Sequence, residues 1–353
     1  MSLPRHRGSK GDRVKNDVSL TGELSCPQEA AEAEQLGYDT AWMPEIKHDP
    51  FCALTLAAAR TERIRLGTAV TVAFARSPML LATVANDLQL FSEGRFRLGI
   101  GSQVKAHITR RFSMPWSAPA DRMREYILAM RAIWHAWSTG EQLKFEGKYY
   151  THTLMTPFFD PGPNPYGPPE IILAGVGTQM TRVAGMVADG FFVHGFTTER
   201  YLREVTLPAI QAGMLEADRG AIDQFEVLGA PFVVTGFNRE DIEQSADNVR
   251  RRVAFYGSTP AYRPVLSLHG WDDLGAELTS LSKQGRWDEM AGCITDDVLH
   301  AFAVVATPEE LPHVVQSRFG DILTGCRLQK PAPVSDDQWQ TVLTGLRETA
   351  GIA

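Results

Sequence analysis

Along most of the chain, short apolar or β-branched runs alternate with segments of helical period. Residues 17–20, 40–43, 64–72, 96–100, 170–174, 190–194, 226–235 and 301–305 read as strands. Between the first two lies an acidic, Ala-rich stretch, residues 26–38, that predicts a helix closed by Gly37. Residues 50–63 predict a second helix and residues 178–188 another. Beyond the eighth run, Thr307, Pro308, Glu309 and Glu310 form a helix start, with a Thr cap, Pro in the first turn and acids beside it.

Eight β/α repeats predict an α/β fold, a (β/α)8 TIM barrel. Most strand-to-strand steps are about 20 to 36 residues, the size of one βα unit. Two are much longer and predict insertions after strands 4 and 7, at residues 101–169 and 236–300. Both leave C-terminal strand ends, where barrel active sites are built. The rival is a doubly wound open sheet, which would carry a Gly-rich dinucleotide turn after strand one; residues 20–24 hold no GxGxxG.

Composition narrows the function. The 353 residues are 44% hydrophobic and carry a net charge of −7, which argues against a nucleic-acid partner. No run has the apolar length of a membrane helix. Residues 1–14 are basic and lack an apolar core, so they read as a disordered leader rather than a secretory signal, followed by one domain over 15–353. Cys26, Cys52, Cys293 and Cys326 are scattered without a CxxC, which fits a reducing cytoplasm.

Six segments carry candidate chemistry. Glu45 and His48 follow strand two at the expected barrel mouth, where a carboxylate and an imidazole orient a ligand or move a proton; the alternative is a solvated loop capped by Asp49. Residues 67–74 on strand three read, unaided, as plain buried strand. Small residues at 99–102 let a flat ring or a phosphate approach the backbone. His107, Arg110 and Arg111 share roughly one helical face, suited either to an anionic ligand or to surface salt bridges. Gly175, Val176, Gly177 and Thr178 open a helix as a phosphate loop would, though glycines also punctuate ordinary turns. His194 stands at the end of strand six among aromatics, either as a site residue or as a satisfied core histidine. Finally, Tyr256, Tyr262, His269 and Trp271 of the second insertion line a substrate pocket, form a lid, or pack on themselves. No metal-ligand spacing, Walker loop or GxSxG elbow is present.

From about Asp17 onward the chain resembles the luciferase-like monooxygenase superfamily, most of all its branch that uses the deazaflavin coenzyme F420. The resemblance lies in residues 33–42 (AEQLGYDTAW), 67–70 (GTAV), 75–78 (ARSP), 92–102 (SEGRFRLGIGS), 122–126 (RMREY) and 188–190 (ADG), in order. Residues 101–112 and 254–265 are similar to stretches of one group of F420-dependent oxidoreductases. The resemblance implies a barrel with the cofactor at its C-terminal mouth and a non-proline cis peptide at Ala69–Val70 behind the ring, beside Thr71. It implies a phosphate loop at Gly175–Thr178, an acidic group at Glu45 and cofactor contacts from Ser102 and His107. Arg111 joins a basic set suited to the oligoglutamate tail of F420, and His194 is the expected proton donor or acceptor. The expected activity is hydride transfer between the deazaflavin and an unidentified small molecule, by a homodimer. The alternatives are an FMN-dependent monooxygenase using O2 and a non-catalytic flavin-binding barrel.

Overall fold

The computed structural model describes residues 14–220, 225–331 and 334–348. The expected leader, 1–14, lies outside them except for Val14, which is buried. Eight parallel strands close a barrel: β1 (Lys15–Ser19), β2 (Thr40–Met43), β3 (Arg65–Thr68), β4 (Phe96–Gly101), β5 (Glu170–Ala174), β6 (Gly190–Phe192), β7 (Glu226–Gly229) and β8 (Gly325–Arg327). Each pairs with the next in chain order, and β8 returns to β1 through Lys15↔Gly325, Asn16↔Cys326 and Asp17↔Arg327.

Helices cover the outside, as in a TIM barrel. Cys26–Leu36 ends where Gly37 takes φ 79°, a left-handed cap that costs glycine nothing. Pro78–Phe91 starts on Ser77, whose side chain accepts from the Leu80 N–H. Inside the barrel, Trp42, Ile172, Phe192 and Leu228 fill the middle, with Trp42 and Phe192 edge to face at 4.8 Å.

Charge closes the N-terminal end. Lys15, Glu170 and Glu226 are the first residues of β1, β5 and β7. They surround Arg97, which bonds Glu170 at 3.1 Å and also Glu226, while Lys15 reaches Glu226 at 2.9 Å. Arg97 is almost fully buried and lies 5.1 Å from the Trp42 ring centre. Such a network specifies one register for these strands, because a slip would strand a charge.

Two expected strands are corrected. The eighth was expected at 301–305; Ala303–Val305 instead pairs with Phe232–Val234 in a separate two-stranded sheet. The barrel closes on Gly325–Arg327, which carries no apolar run to announce it. The seventh was expected as one strand over 226–235, but it leaves the barrel at Gly229, and Pro231, which has no N–H to donate, lies between the two pieces. The insertion after strand seven therefore runs from Ala230 to Thr324. It has its own core, which includes Phe232, Val253, Leu266, Leu278 and Phe302 together with Phe196 from the loop after β6. The insertion after strand four holds Lys105–Arg110, the long Pro119–Thr139 helix and a short hairpin.

Candidate functional site

The third strand breaks at the barrel mouth. The Ala69–Val70 peptide is cis, and the chain resumes extended structure at Thr71–Val72. Gly67 lies opposite Arg97 but Thr71 lies opposite Ile100, so β3 carries one residue more than β4 across this stretch. That is a bulge, which turns the backbone of residues 69 and 70 out of the ladder. Ala69 and Val70 are half-buried and pack against the interior aromatics. Thr71 is fully buried and its hydroxyl has no hydrogen-bond partner.

Glu45 holds this bulge. Its carboxylate accepts from the Val72 N–H at 2.8 Å and from Arg76 Nη1 at 2.8 and 2.9 Å. Arg76 in turn reaches Asp49 at 2.7 Å, and Asp49 caps the helix Pro50–Ala58. Asp49 is thus the helix cap that the loop reading expected, and Glu45 ties β2 to β3. His48 is farther out, half-buried at the rim, with Nε2 3.7 Å from Glu23.

On the β4 side, Ser102 is half-buried and donates to the Gln103 carbonyl at 3.1 Å. His107 and Arg110 are exposed on Lys105–Arg110. Arg111 follows that helix and donates to the Ile46 carbonyl at 2.9 Å, so it links the loops after β4 and β2. Its guanidinium also lies over the Phe112 ring.

On the β5 side, Gly177 starts the helix Thr178–Val187 with φ 84° and ψ 153°, a region open essentially to glycine alone. No side chain caps this helix, so its first-turn N–H groups are free for a ligand, and the helix dipole favours an anion there. Gly175, Val176, Gly177 and Thr178 line a cleft of about 470 Å³, open to solvent. Its opposite walls include His194, Tyr262, Pro264 and Val265.

His194 is strongly perturbed by its surroundings. Its Nδ1 accepts from the Phe196 N–H at 3.0 Å, which leaves the proton of the neutral ring on Nε2. The Tyr262 ring stacks on it at 4.6 Å and Tyr256 meets it edge on at 4.8 Å. Burial, then the positive charges of Arg327 and Arg252, push its pKa down to about 4. Of the two expected roles, proton donor or acceptor, this geometry supplies an Nε2–H donor on a neutral ring.

The second insertion divides between its expected roles. Tyr262, Pro264 and Val265 line the cleft. His269 and Trp271 stack on each other at 4.4 Å, with Trp271 against the insertion core and His269 Nε2 2.8 Å from Thr198 Oγ1. Neither Arg327 nor Arg252 lies in a motif that marks a site in the sequence. Arg327 sits on the barrel strand that no apolar run announces, and Arg252 on Arg239–Gly257, the helix that also carries Tyr256.

The residues of the mouth suit a flat anionic cofactor by two observations. The half-buried bulge at Ala69–Val70 offers an apolar seat, and the uncapped helix start at Gly177 offers N–H groups to a phosphate. Among the described residues no helix is long and apolar enough to cross a membrane.

Comparison with known proteins bears on the family and the fold. The chain is 47% identical over 307 residues to an uncharacterized protein of Mycobacterium tuberculosis, covering 87% of this chain and 90% of that one. It is 27% identical to the 5,10-methylenetetrahydromethanopterin reductase of Archaeoglobus fulgidus, over 79% of this chain and 81% of the reductase. Among solved structures, it is similar to a coenzyme F420 dependent tetrahydromethanopterin reductase from Methanopyrus kandleri, with TM-score 0.74, 21% identity and 94% and 97% of the two chains covered. It shares the fold of a riboflavin lyase solved with modified FMN, with TM-score 0.71, 17% identity and coverage of 97% and 93%. The family described as luciferase-like monooxygenase matches residues 25–318, and the chain belongs to that family of oxidoreductases.

Proposed function

We propose that this chain binds coenzyme F420 at the barrel mouth and transfers a hydride between it and a small organic substrate. The observation that carries the reading is the pairing of the Ala69–Val70 bulge with the open helix start at Gly177. One suits the back of a flat ring and the other suits a phosphate. When bound, the deazaflavin supplies two-electron chemistry at C5.

The protein's own groups do the rest. Ala69, Val70 and Thr71 seat the ring, and Glu45 fixes that seat through Val72 and Arg76. Gly175, Val176, Gly177 and Thr178 take the phosphate. Ser102 stands beside the ring seat, and His107 with Arg111 on the tail side of the same rim. His48, paired toward Glu23, serves the rim rather than the reacting atoms. His194 keeps its proton on Nε2 at neutral pH and donates it as a hydrogen bond to a substrate oxygen, so it polarises that oxygen rather than acting as a base. The similarity to methylenetetrahydromethanopterin reductase supports a reductase. His194→Ala tests the role: turnover falls more than cofactor affinity, and equal turnover in variant and parent removes His194 from the mechanism.

The FMN-dependent monooxygenase remains the second reading, favoured by the fold shared with an FMN-bound lyase. The phosphate loop serves either cofactor, whereas exposed His107 and Arg110 favour the anionic tail of F420. We also read the chain from residue 15 on as one barrel domain that self-associates in the cytoplasm. Exposed Leu56, Leu80 and Phe91 on neighbouring outer helices support the dimer, and four free cysteines support the compartment.

A further inference from the structure

Beside His194 the mouth carries two arginines that form no ion pair among the described residues. Arg327 ends β8 and turns inward, with its guanidinium carbon 4.7 Å from the centre of the Phe192 ring. Its Nε is buried without a hydrogen-bond partner, and among the described residues it makes no ion pair. Asp17 lies opposite it in the strand register. That carboxylate accepts the Trp42 indole N–H at 2.8 Å and also faces Arg97, so Arg327 shares its charge without an ion pair of its own.

A second cation comes from the insertion. Arg252, on Arg239–Gly257, donates to the Gln329 side chain at 2.9 Å, two residues beyond Arg327. It lies 4.7 Å over the Phe232 ring and also makes no ion pair among the described residues. Both cations act on His194, whose ring is otherwise enclosed by Tyr256 and Tyr262. The groups facing His194 are therefore two arginines and two tyrosines, and no acidic side chain is among its perturbing neighbours. Arg252 is exposed and Arg327 half-buried, with its Nε buried and unpartnered; burying a cationic donor without a partner is expensive, and a negatively charged ligand relieves that cost at Arg327. Arginine in particular matches the two oxygens of a carboxylate.

The geometry points to a substrate that carries a carboxylate, held by Arg327 and Arg252 beside His194. This deepens the reading of the mouth as a substrate site and does not depend on which cofactor lies there. Two pairs of probes test it on the full chain without added cofactor, by calorimetry at low salt: benzoate against benzamide, and acetate against acetamide. At least one carboxylate binds about tenfold or more tighter than its amide. Arg327→Met abolishes that preference, Arg327→Lys keeps part of it, and Arg252→Met reduces it. If Arg327→Met fails to fold, Arg252→Met and Arg327→Lys carry the comparison. Absence of a preference in the parent, whether both members of each pair bind or neither does, overturns the inference. An undiminished preference in the folded variants overturns it as well. Binding of F420 is measured separately on the parent, so loss of the cofactor reading and loss of the carboxylate site give different results.

Discussion

At the residue scale, the site rests on a few atoms whose replacement has predictable effects. Glu45 accepts three hydrogen bonds that join β2 to the strand-three bulge. Glu45→Gln keeps the shape and removes the charge, so it weakens F420 binding about tenfold and lowers stability by about 1–3 kcal/mol, read from a cofactor titration and a denaturant midpoint. Gly99 of β4 lies against Thr68 of β3, whose hydroxyl donates to the Gly99 carbonyl at 2.6 Å. A methyl group there would overlap the Thr68 carbonyl and press on Phe192 at 2.8 Å, so Gly99→Ala costs about 3 kcal/mol in urea unfolding. His194 gives a pH signature. Its pKa is about 4 when folded and near 6.5 when unfolded, so the unfolded chain takes up the proton first as pH falls. The associated stability is fully present above pH 6.5, declines between 6.5 and 4, and is lost below 4, a change of up to about 3 kcal/mol. His194→Gln flattens that slope in denaturant midpoints measured across the range. An unchanged slope would mean that this imidazole is not held neutral.

At the element scale, what the chain announced depended on whether its apolar residues were contiguous. Seven barrel strands carry buried runs such as Phe96–Gly101, and the periodic pattern located them. The eighth, Gly325–Arg327, turns a glycine and an arginine inward, and no hydrophobic pattern marks it. Ala303–Val305 is more strand-like in sequence but serves the insertion's own sheet. The cis peptide at Ala69–Val70 was legible through family resemblance alone, because nothing in the composition of residues 67–72 requires it. The loops after β2, β4, β5 and β6 were legible because each follows its strand directly. The two arginines were not, because Arg252 reaches the segment after Arg327, at Gln329, only when the insertion folds back over β8. The ion network at the opposite end belongs to this scale too. Arg97→Met leaves Glu226 and Glu170 without their buried partner and lowers stability by about 3–5 kcal/mol in denaturant unfolding.

At the scale of the whole molecule, the two ends of the barrel have different tasks. The N-terminal end is closed by paired charges around Arg97, which fix the register. The C-terminal mouth leaves several polar groups without partners: the open helix start at Gly177, the hydroxyl of Thr71, the Nε of Arg327. The long insertion after β7 covers one side of that mouth with Tyr262, Pro264 and Val265 and leaves the β3–β4 side to the bulge. This division gives one wall to a flat ring and the other to a substrate. The most direct test is a titration of the purified protein with F420 and, separately, with FMN, followed by each cofactor's absorbance and fluorescence. The account predicts micromolar binding of F420 and much weaker binding of FMN. Preference for FMN, or binding of neither, would contradict it.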